Sequence, residues 1–221
     1  MVLGHPRVIL AALVLAAVLA ALAAYNDGSI LLTWDEPIQR WVESNRSAGL
    51  ETLFRGASRL GSNVVIFSVA AVLAGLTWRR CRFLALAILI AALSRPAIEY
   101  VVKALIDRPR PDLDPLLPGT GPSHPSGHVL ASAALWGLVP AAIALYTGRA
   151  WIWRTAEVVV MAMIVLVAAS RVYLGVHWLS DVVAGIVLGA LYLLVIERAF
   201  LRMHPEGCCA HDQIQARSTV V

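Results

Sequence analysis

Three short segments of the chain hold ionisable residues of types that could do chemistry, and each borders an apolar stretch. One of them, SRVYLGVHWLSD (170–181), contains Arg171, His177 and Asp181. A charge placed in hydrocarbon costs several kcal/mol, so such residues beside apolar runs are candidates for a functional site. The spacing of His177 and Asp181, i and i+4, puts them on the same face of a helix. A carboxylate in that position can hydrogen-bond one imidazole nitrogen and leave the other free as a nucleophile.

The second segment, KALIDRPRP (103–111), is cationic and rich in proline. It contributes Lys103, Arg108 and Arg110. Lysine and arginine side chains that converge on one point bind anions, and a guanidinium matches phosphate with two parallel hydrogen bonds. The segment therefore predicts an anion site.

The third segment, HPSGH (124–128), opens a further apolar run. Ser126 is therefore expected at the N-cap of a helix. The free amides of a helix start, the serine hydroxyl and the close backbone approach that Gly127 allows all favour a bound anion. His128 is a second histidine, left over as a proton donor. An anion site, a carboxylate-oriented histidine and a second histidine suffice for phosphoryl transfer through a phosphohistidine.

In their order and spacing these residues resemble the three signature motifs of the type 2 phosphatidic acid phosphatase superfamily. The matches are Lys103 followed by six residues and Arg110–Pro111, then Pro125–Ser126–Gly127–His128, and then Ser170–Arg171 with five residues to His177 and three more to Asp181. The resemblance covers roughly residues 60–200. It extends to the membrane branch of that superfamily, whose motifs meet at one membrane face.

The resemblance implies a role for each matching residue. It implies His177 as the nucleophile, Asp181 as its orienter and His128 as the acid that protonates the leaving group. It implies a reaction without a metal or other cofactor, with phosphate bound by Lys103, Arg110, Ser126, Gly127 and Arg171. Arg108 could contact phosphate or be a solvated loop residue, and we favour the loop residue. His124 stands where many members have an aromatic or apolar residue and receives no role.

The elements that must position these residues are predicted to be transmembrane helices. Hydrophobic residues make up 59% of the chain and charged residues 14%, whereas a soluble domain has about 25% charged residues. The mean hydropathy is +0.75. Apolar runs of about 20 residues are typical of membrane spans. Six such runs occur, roughly at 8–25, 63–78, 83–103, 126–146, 152–170 and 176–196.

These runs predict an all-α, polytopic membrane protein with a single six-helix domain over residues 1–203. The first run could instead be a cleaved signal peptide. We favour its retention, because only then do six spans give a consistent topology. The remaining residues, 204–221, are predicted to form a polar, disordered cytoplasmic tail.

Short basic loops predict the orientation of this domain. The loops 78–82, 147–154 and 197–202 carry arginines, and such loops stay in the cytoplasm. Both termini are then cytoplasmic, and the segments 26–62, 104–125 and 171–175 face outside. Charge sorting alone thus places all three chemical segments at the outer face. The net charge of +4 follows the same membrane rule and needs no nucleic-acid partner.

Two segments outside the spans are also informative. Residues 34–60 have helical spacing of apolar side chains, which predicts one or two amphipathic helices at the outer interface, with Pro37 in a first turn. Loop 106–125 holds six prolines and two glycines, so it can be neither helix nor strand for long. A constrained loop beside a scaffold often carries function.

Within the spans, Arg95, Glu99 and Lys103 recur every fourth residue on one helical face. Arg95 and Glu99 are expected to neutralise each other, which leaves Lys103 without an obvious partner. Gly185 and Gly189 have the small-xxx-small spacing that permits close helix packing. Because Cys81, Cys208 and Cys209 all fall on the predicted cytoplasmic side, a disulfide framework is not expected.

The sequence therefore predicts an integral lipid phosphatase of the plasma (inner) membrane, with its active site on the outer face. Its partners would be the bilayer and a lipid phosphate or diphosphate. Isoprenyl diphosphate (for example undecaprenyl diphosphate), phosphatidylglycerophosphate and phosphatidic acid all fit, with lipid tails near Leu116 and Leu117. One alternative is a lipid phosphotransferase, and a second is a non-catalytic lipid-binding or transport protein. The specific lipid, the oligomeric state and the roles of His124 and the Cys208–Cys209 pair stay open.

Overall fold

The computed structural model describes residues 6–25 and 29–203 of the chain, and every structural statement below concerns these residues. Their regular secondary structure is helical, as expected for an all-α protein. The predicted tail, residues 204–221, lies outside them. The helices are α1 (Pro6–Ala24), α2 (Ser29–Ser44), α3 (Ala48–Arg59), α4 (Asn63–Trp78), α5 (Arg82–Leu105), α6 (Gly127–Trp136), α7 (Val139–Thr147), α8 (Ala150–Tyr173) and α9 (Leu179–Met203).

Several helices are apolar and long enough to cross a membrane. Helix α4 has 16 residues, fewer than the ~20 that a span needs, and it qualifies only together with α3, from which it is bent by 46°. The described residues thus form a membrane protein with four candidate spans, or five with this bent pair. The four are Arg82–Leu105, Gly127–Thr147 (α6 and α7), Ala150–Tyr173 and Leu179–Ala199. Helix α1 forms where the first span was predicted, but the count of six stays a prediction.

The segment that was predicted to be amphipathic folds into α2 and α3. Helix α3 starts after the short break at residues 45–47, where the Ser47 hydroxyl accepts a hydrogen bond from the Leu50 N–H at 3.4 Å. The expectation for Pro37 was wrong. Helix α2 begins at Ser29, so the proline lies inside the helix, not in its first turn.

Helix α2 carries large aromatic side chains on its exposed side and polar side chains among its buried residues. It exposes Trp34 and Trp41 and buries Asp35 and Gln39. Exposed tryptophans suit a helix in contact with lipid headgroups, which was the predicted environment and stays a prediction. Buried polar residues on a membrane protein face the interior of the bundle and mark functional regions.

Close packing of α6 against α9 fixes the centre of the bundle. A Cβ at Gly185 would lie 2.8 Å from the Ser126 carbonyl oxygen, and one at Gly189 would lie 2.6 Å from Ala133 Cβ. Only glycine allows this approach, so the predicted small-xxx-small packing is confirmed. The same approach lets the Ser126 N–H donate to the Asp181 carbonyl at 3.0 Å, which ties the starts of the two helices together.

Cys81 is one of the three cysteines for which no disulfide framework was expected. It is buried at the start of α5, where its sulfur accepts a hydrogen bond from the Leu84 N–H at 3.4 Å, and it is disulfide-bonded. The argument from its predicted cytoplasmic side did not anticipate this bond.

Candidate active site

The three chemical segments meet at one end of the bundle. Helix α5 delivers Lys103 in its last turn, α6 begins just after Ser126, and α8 delivers Arg171 in its last turn. The loop between α5 and α6 folds over these helix ends. His177 lies in the turn between α8 and α9, and this turn depends on Gly175, whose φ of +71° suits glycine.

His177 is buried at the centre of the site. Its Nε2 lies 3.3 Å from Arg110 Nη1, and its Nδ1 lies 3.5 Å from Ser123 Oγ. The Asp181 carboxylate was expected to hydrogen-bond the imidazole directly. Instead Nδ1 and Asp181 Oδ2 are 3.8 Å apart, at ion-pair range.

Ser123 closes the gap between the histidine and the carboxylate. Its hydroxyl donates to Asp181 Oδ2, so its oxygen is available to accept from the Nδ1–H of His177. This arrangement places the proton on Nδ1 and leaves the Nε2 lone pair facing Arg110. Sequence reasoning missed Ser123, because a serine in a proline-rich loop carries no signal of its own.

The protonation state of His177 follows from its surroundings. Burial lowers the pKa of His177 to about 4; Asp181 opposes this effect, and the positive charges of Arg110 and Arg171 add to it. An imidazole with that pKa is neutral at physiological pH, as a nucleophile must be.

Arg110 organises the loop as well as the site. Its guanidinium donates to the carbonyl oxygens of Thr120 (2.9 Å), Gly121 (2.9 Å) and Val176 (2.6 Å). These bonds fasten the loop to the turn that holds His177. Arg110 therefore lies beside His177, while its predicted role as a phosphate ligand stays a prediction.

Two of the predicted phosphate-binding residues have a buried donor that lacks a partner among the described residues. Arg171 is buried and donates from Nη1 to Ser58 Oγ, but its Nε has no hydrogen-bond partner. Ser126 occupies the N-cap position of α6 without making the usual side-chain cap bond, and its Oγ is buried and unbonded. Because a buried polar group without a partner is costly, these donors are candidates to bind a ligand.

Lys103 has a partner that was not expected. Its Nζ lies 3.2 Å from Glu99 Oε1, while Glu99 Oε2 accepts from Arg95. Glu99 therefore neutralises two cations instead of one. The same carboxylate packs against Gly127, where a Cβ would lie 2.0 Å from Oε1. Gly127 thus provides the close approach that was predicted, although here a carboxylate makes that approach.

His128 lies in the first turn of α6 and is half-buried. It lies within electrostatic reach of His177, Arg171 and Lys103. Gly61, before α4, packs against it, since a Cβ at that glycine would lie 2.9 Å from the His128 carbonyl oxygen. The structure therefore brings the second histidine to the cationic end of the site.

The interpretation of Arg108 as a solvated loop residue was wrong. Its side chain is fully buried and donates from Nη1 to Asp181 Oδ1 at 2.7 Å and from Nη2 to Asp35 Oδ2 at 2.8 Å. Ser180 bridges Asp35 and Arg108, because its N–H donates to Asp35 Oδ1 at 3.0 Å, and its hydroxyl donates to Asp35 Oδ2 and accepts from Arg108 Nη1. We call Asp35, Arg108, Ser180 and Asp181 the Asp35 network.

Asp181 has further partners that sequence reasoning missed. His124, which had received no role, is buried with its Nδ1 3.3 Å from Asp181 Oδ1. The Trp178 N–H donates to Oδ2 at 3.0 Å. Each carboxylate oxygen is thus held by at least two groups, which fixes the orientation of Asp181.

A cavity of about 370 Å³ opens beside the cationic residues. It is lined by Tyr100, Lys103 and Ala104 of α5, and by Asp107 and residues 120–122 of the loop. Leu116 and Leu117, which were expected near lipid tails, instead pack against Tyr173, Leu174 and Val176. No group of three or more His, Cys, Asp or Glu side chains in the described part of the chain is arranged to hold a metal.

A family model described as the PAP2 superfamily matches residues 84–204, more than half of the chain. The protein belongs to the PAP2 superfamily. This assignment and the apolar helices make it a membrane protein of a phosphatase family. All the residues of the three predicted motifs fall inside the matched region, whereas Asp35 lies outside it.

Two solved structures resemble this PAP2 protein. One is a transmembrane PAP2-type phosphatidylglycerolphosphate phosphatase from Bacillus subtilis, with a TM-score of 0.82, 24% sequence identity and coverage of 90% of this chain and 98% of that chain. The other is LpxE from Aquifex aeolicus, with a TM-score of 0.61, 18% identity and coverage of 75% and 95%. At these identities the likeness concerns the fold. No curated protein sequence matches the chain significantly.

Proposed function

We propose that this protein hydrolyses a lipid phosphate or diphosphate through a phosphohistidine on His177. One observation carries the proposal: the buried His177 imidazole directs its Nε2 at a cationic cluster in which Arg171 Nε lacks a hydrogen-bond partner among the described residues. The cationic cluster consists of Lys103, Arg110 and Arg171. Charge of this kind, held in a site away from bulk water, stabilises a transferring phosphoryl group more strongly than it would in water.

The phosphate would bind between the cationic cluster and the start of α6. Arg171 offers its unpaired Nε, and Ser126 offers its unbonded hydroxyl. Gly127 and His128 offer the first backbone amides of a ten-residue helix, whose N-terminus favours an anion. Lys103 would exchange Glu99 for a phosphate oxygen, a short movement of a flexible side chain.

The reaction would proceed in two displacements. His177 Nε2 attacks phosphorus, a P–N bond forms, and the bond from phosphorus to the leaving oxygen breaks as His128 donates a proton to that oxygen. The His177 Nδ1–H and Asp181, acting through Ser123, stabilise the positive charge on the ring. In the second step His128 takes a proton from water, water attacks phosphorus, and inorganic phosphate leaves as the P–N bond breaks.

The cationic cluster supplies the charge neutralisation that a metal ion supplies in other phosphatases, so we propose a reaction independent of metal. This proposal rests on the donor set: three cationic side chains and a helix N-terminus around the phosphate position. It predicts activity that survives a chelator.

The substrate class follows from the surroundings of the site. The cavity of about 370 Å³ shares Lys103 with the cationic cluster and is also lined by residues 120–122, whose carbonyl groups Arg110 binds. We propose that a phosphorylated headgroup enters here while its tails stay in the bilayer beside Tyr100. Phosphatidylglycerophosphate, phosphatidic acid and isoprenyl diphosphates such as undecaprenyl diphosphate meet this description. The arginine distribution supports a site on the outer face of the inner membrane.

The test is release of inorganic phosphate by the purified protein in detergent, with a panel of these lipids and with a chelator present. We expect release that His177→Ala abolishes. Phosphate found on an added acceptor lipid instead of in solution would identify a phosphotransferase. Binding of the lipid without either product would identify a non-catalytic lipid-binding or transport protein, and both results would overturn the proposal.

A further inference from the structure

Asp35 and Arg108 form a buried ion pair between an outer helix and the proposed catalytic carboxylate. The Asp35 and Arg108 side chains are 2% and 0% exposed, and they are joined at 2.8 Å. Arg108 also contacts Asp181 at 2.7 Å, and Asp181 is itself fully buried. Buried charges are costly unless they are paired and hydrogen-bonded. Burial of one cation between two carboxylates is therefore expected only where the arrangement has a function.

This function follows from the charge balance at Asp181. A carboxylate that stabilises a positive imidazole must keep a negative field at the ring. Arg108 holds Asp181 in place, but alone it would cancel most of that field. Asp35 sits on the far side of Arg108 and restores one negative charge. The charges therefore alternate in sign when the imidazole is positive, in the order Asp35, Arg108, Asp181 and His177.

We propose that Asp35 and Arg108 are positioning residues of the active site. Arg108 fixes the orientation of Asp181, and Asp35 fixes Arg108 and balances its charge, so that Asp181 keeps its negative field at His177. Neither residue touches the substrate. The proposal rests on the proposed function of His177 as nucleophile, and it extends the site to α2, outside the region matched by the family model.

Other charged or titratable groups also face His177, and they set its pKa in the wild-type protein. Asp181 lies on α9, Arg110 in the loop, Arg171 on α8 and His128 on α6. None of these changes in the variants below. Ser180, which bridges Asp35 and Arg108, stays in place as well.

The test compares Asp35→Asn, Arg108→Gln and the double variant in the full-length protein. The measurement is the pH dependence of kcat/KM for a soluble aryl phosphate, whose own titration is common to all variants. In Asp35→Asn the positive charge of Arg108 is no longer balanced, so the pKa of His177 should fall. The acidic limb of the kcat/KM profile should therefore move to lower pH by roughly half to one unit. Arg108→Gln should move it in the opposite direction, and the double variant should lie closer to wild type than either single variant.

A second measurement separates positioning from loss of structure. Because neither residue contacts the phosphate, the inhibition constant for inorganic phosphate should stay within about twofold of wild type. The value of kcat should fall about 10-fold or more, because the attacking imidazole is less well oriented. The matched controls are Glu36→Gln and Arg40→Gln on the exposed face of α2, where the two side chains pair with each other. Both should behave as wild type.

The proposal would be overturned if the acidic limb of the kcat/KM profile moved in the same direction in both single variants, or moved in neither. An effect of Glu36→Gln equal to that of Asp35→Asn would also overturn it. Should one single variant fail to give a monodisperse protein, the direction of the shift in the other decides. A wild-type protein that releases no phosphate would refute the proposed function, a result distinct from unshifted limbs in an active enzyme.

Discussion

The carboxylate of Glu99 lies directly against the backbone of Gly127, since a Cβ at Gly127 would come within 2.0 Å of Glu99 Oε1. The same oxygen is 3.2 Å from Lys103 Nζ. Glu99 is therefore held between Lys103 and the first turn of α6. Any side chain at position 127 must displace it, and Lys103 would move with its partner.

Gly127→Ala should therefore lower kcat/KM by about 10²-fold, the loss that an ångström of misplacement can produce. The measurement is hydrolysis of an aryl phosphate by the purified variant. Gly75→Ala is the matched control, because a Cβ at Gly75 in α4 meets nothing within 4 Å. A Gly127→Ala enzyme with normal kcat/KM would show that Glu99 does not hold Lys103 in its working position.

Arg171 should contribute chiefly to phosphate binding. Its Nε has no partner among the described residues, and a hydrogen bond to a charged group contributes about 1.5–3 kcal/mol. Arg171→Ala should thus raise the inhibition constant for inorganic phosphate by about 10–100-fold. Arg59→Ala, at an exposed position on α3, is the control and should leave the constant unchanged. Equal constants in the two variants would contradict the role assigned to Arg171.

The pH dependence of activity should report the buried imidazole. Burial lowers the pKa of His177 to about 4, so the nucleophile stays neutral well below the ordinary histidine pKa of about 6.5. The acidic limb of kcat/KM should lie near pH 4 once the titration of the substrate is accounted for. A limb near pH 6.5 that is absent from the substrate alone would count against a buried nucleophile.

The lowered pKa of His177 also makes the free energy of unfolding depend on pH. Because the pKa of His177 is lower in the folded state, the unfolded chain binds more protons at acidic pH. The free energy of unfolding should fall as the pH decreases from about 6.5 towards 4. His177→Gln, which does not titrate, should lose less stability over that range, as measured by thermal unfolding in detergent. An equal loss in both proteins would show that His177 does not carry this effect.

The predicted orientation can be tested with single cysteines at two exposed loop positions. Asp112→Cys lies in the loop over the site, and Arg149→Cys lies between α7 and α8. In intact cells a membrane-impermeant thiol reagent should label the first above the wild-type background and should label the second only after lysis. The opposite pattern would place the site in the cytoplasm.

Much of the fold could be predicted because apolar length and helix-capping residues are local signals. The run 63–78 coincides with α4, whose start is marked by Ser62 at the N-cap. The break between α6 and α7 was not foreseen, because the apolar run hides it, although Gly137 at the end of α6 and Pro140 in the first turn of α7 are helix-breaking residues. The span count could not be settled from α4, since its length suffices only together with α3.

Only part of the candidate site could be predicted from the sequence. Helical spacing predicted that His177 and Asp181 would lie together, and the charge distribution of the loops predicted that Arg110 would lie at the same membrane face. Neither signal revealed Asp35 or the burial of Arg108, whose contact joins positions 73 residues apart. A lone acid in an amphipathic helix gives no sign of its partner. Only the folded chain shows that the loop turns Arg108 inward.

The two histidines should fail at different steps. His177 attacks phosphorus, so His177→Ala should form no phosphoenzyme with any substrate. His128 protonates the leaving oxygen and later activates water, a contribution worth about 10²–10⁴-fold. An aryl phosphate needs little protonation, so with this substrate His128→Ala should still be phosphorylated and should then hydrolyse slowly. Asp181→Asn should lie between, because the ring loses the carboxylate that stabilises its positive charge.

The measurement that separates these histidines is radiolabel on the protein after a short reaction with labelled aryl phosphate. A phosphohistidine is labile to acid and stable to base, which distinguishes it from a phosphoserine on Ser123 or Ser126. We expect label to accumulate on His128→Ala, because its second step is slowed more than its first. Label retained on His177→Ala would exclude His177 as the nucleophile. Label absent from both variants would refute the division of roles, since His128 would then be needed for the attack itself.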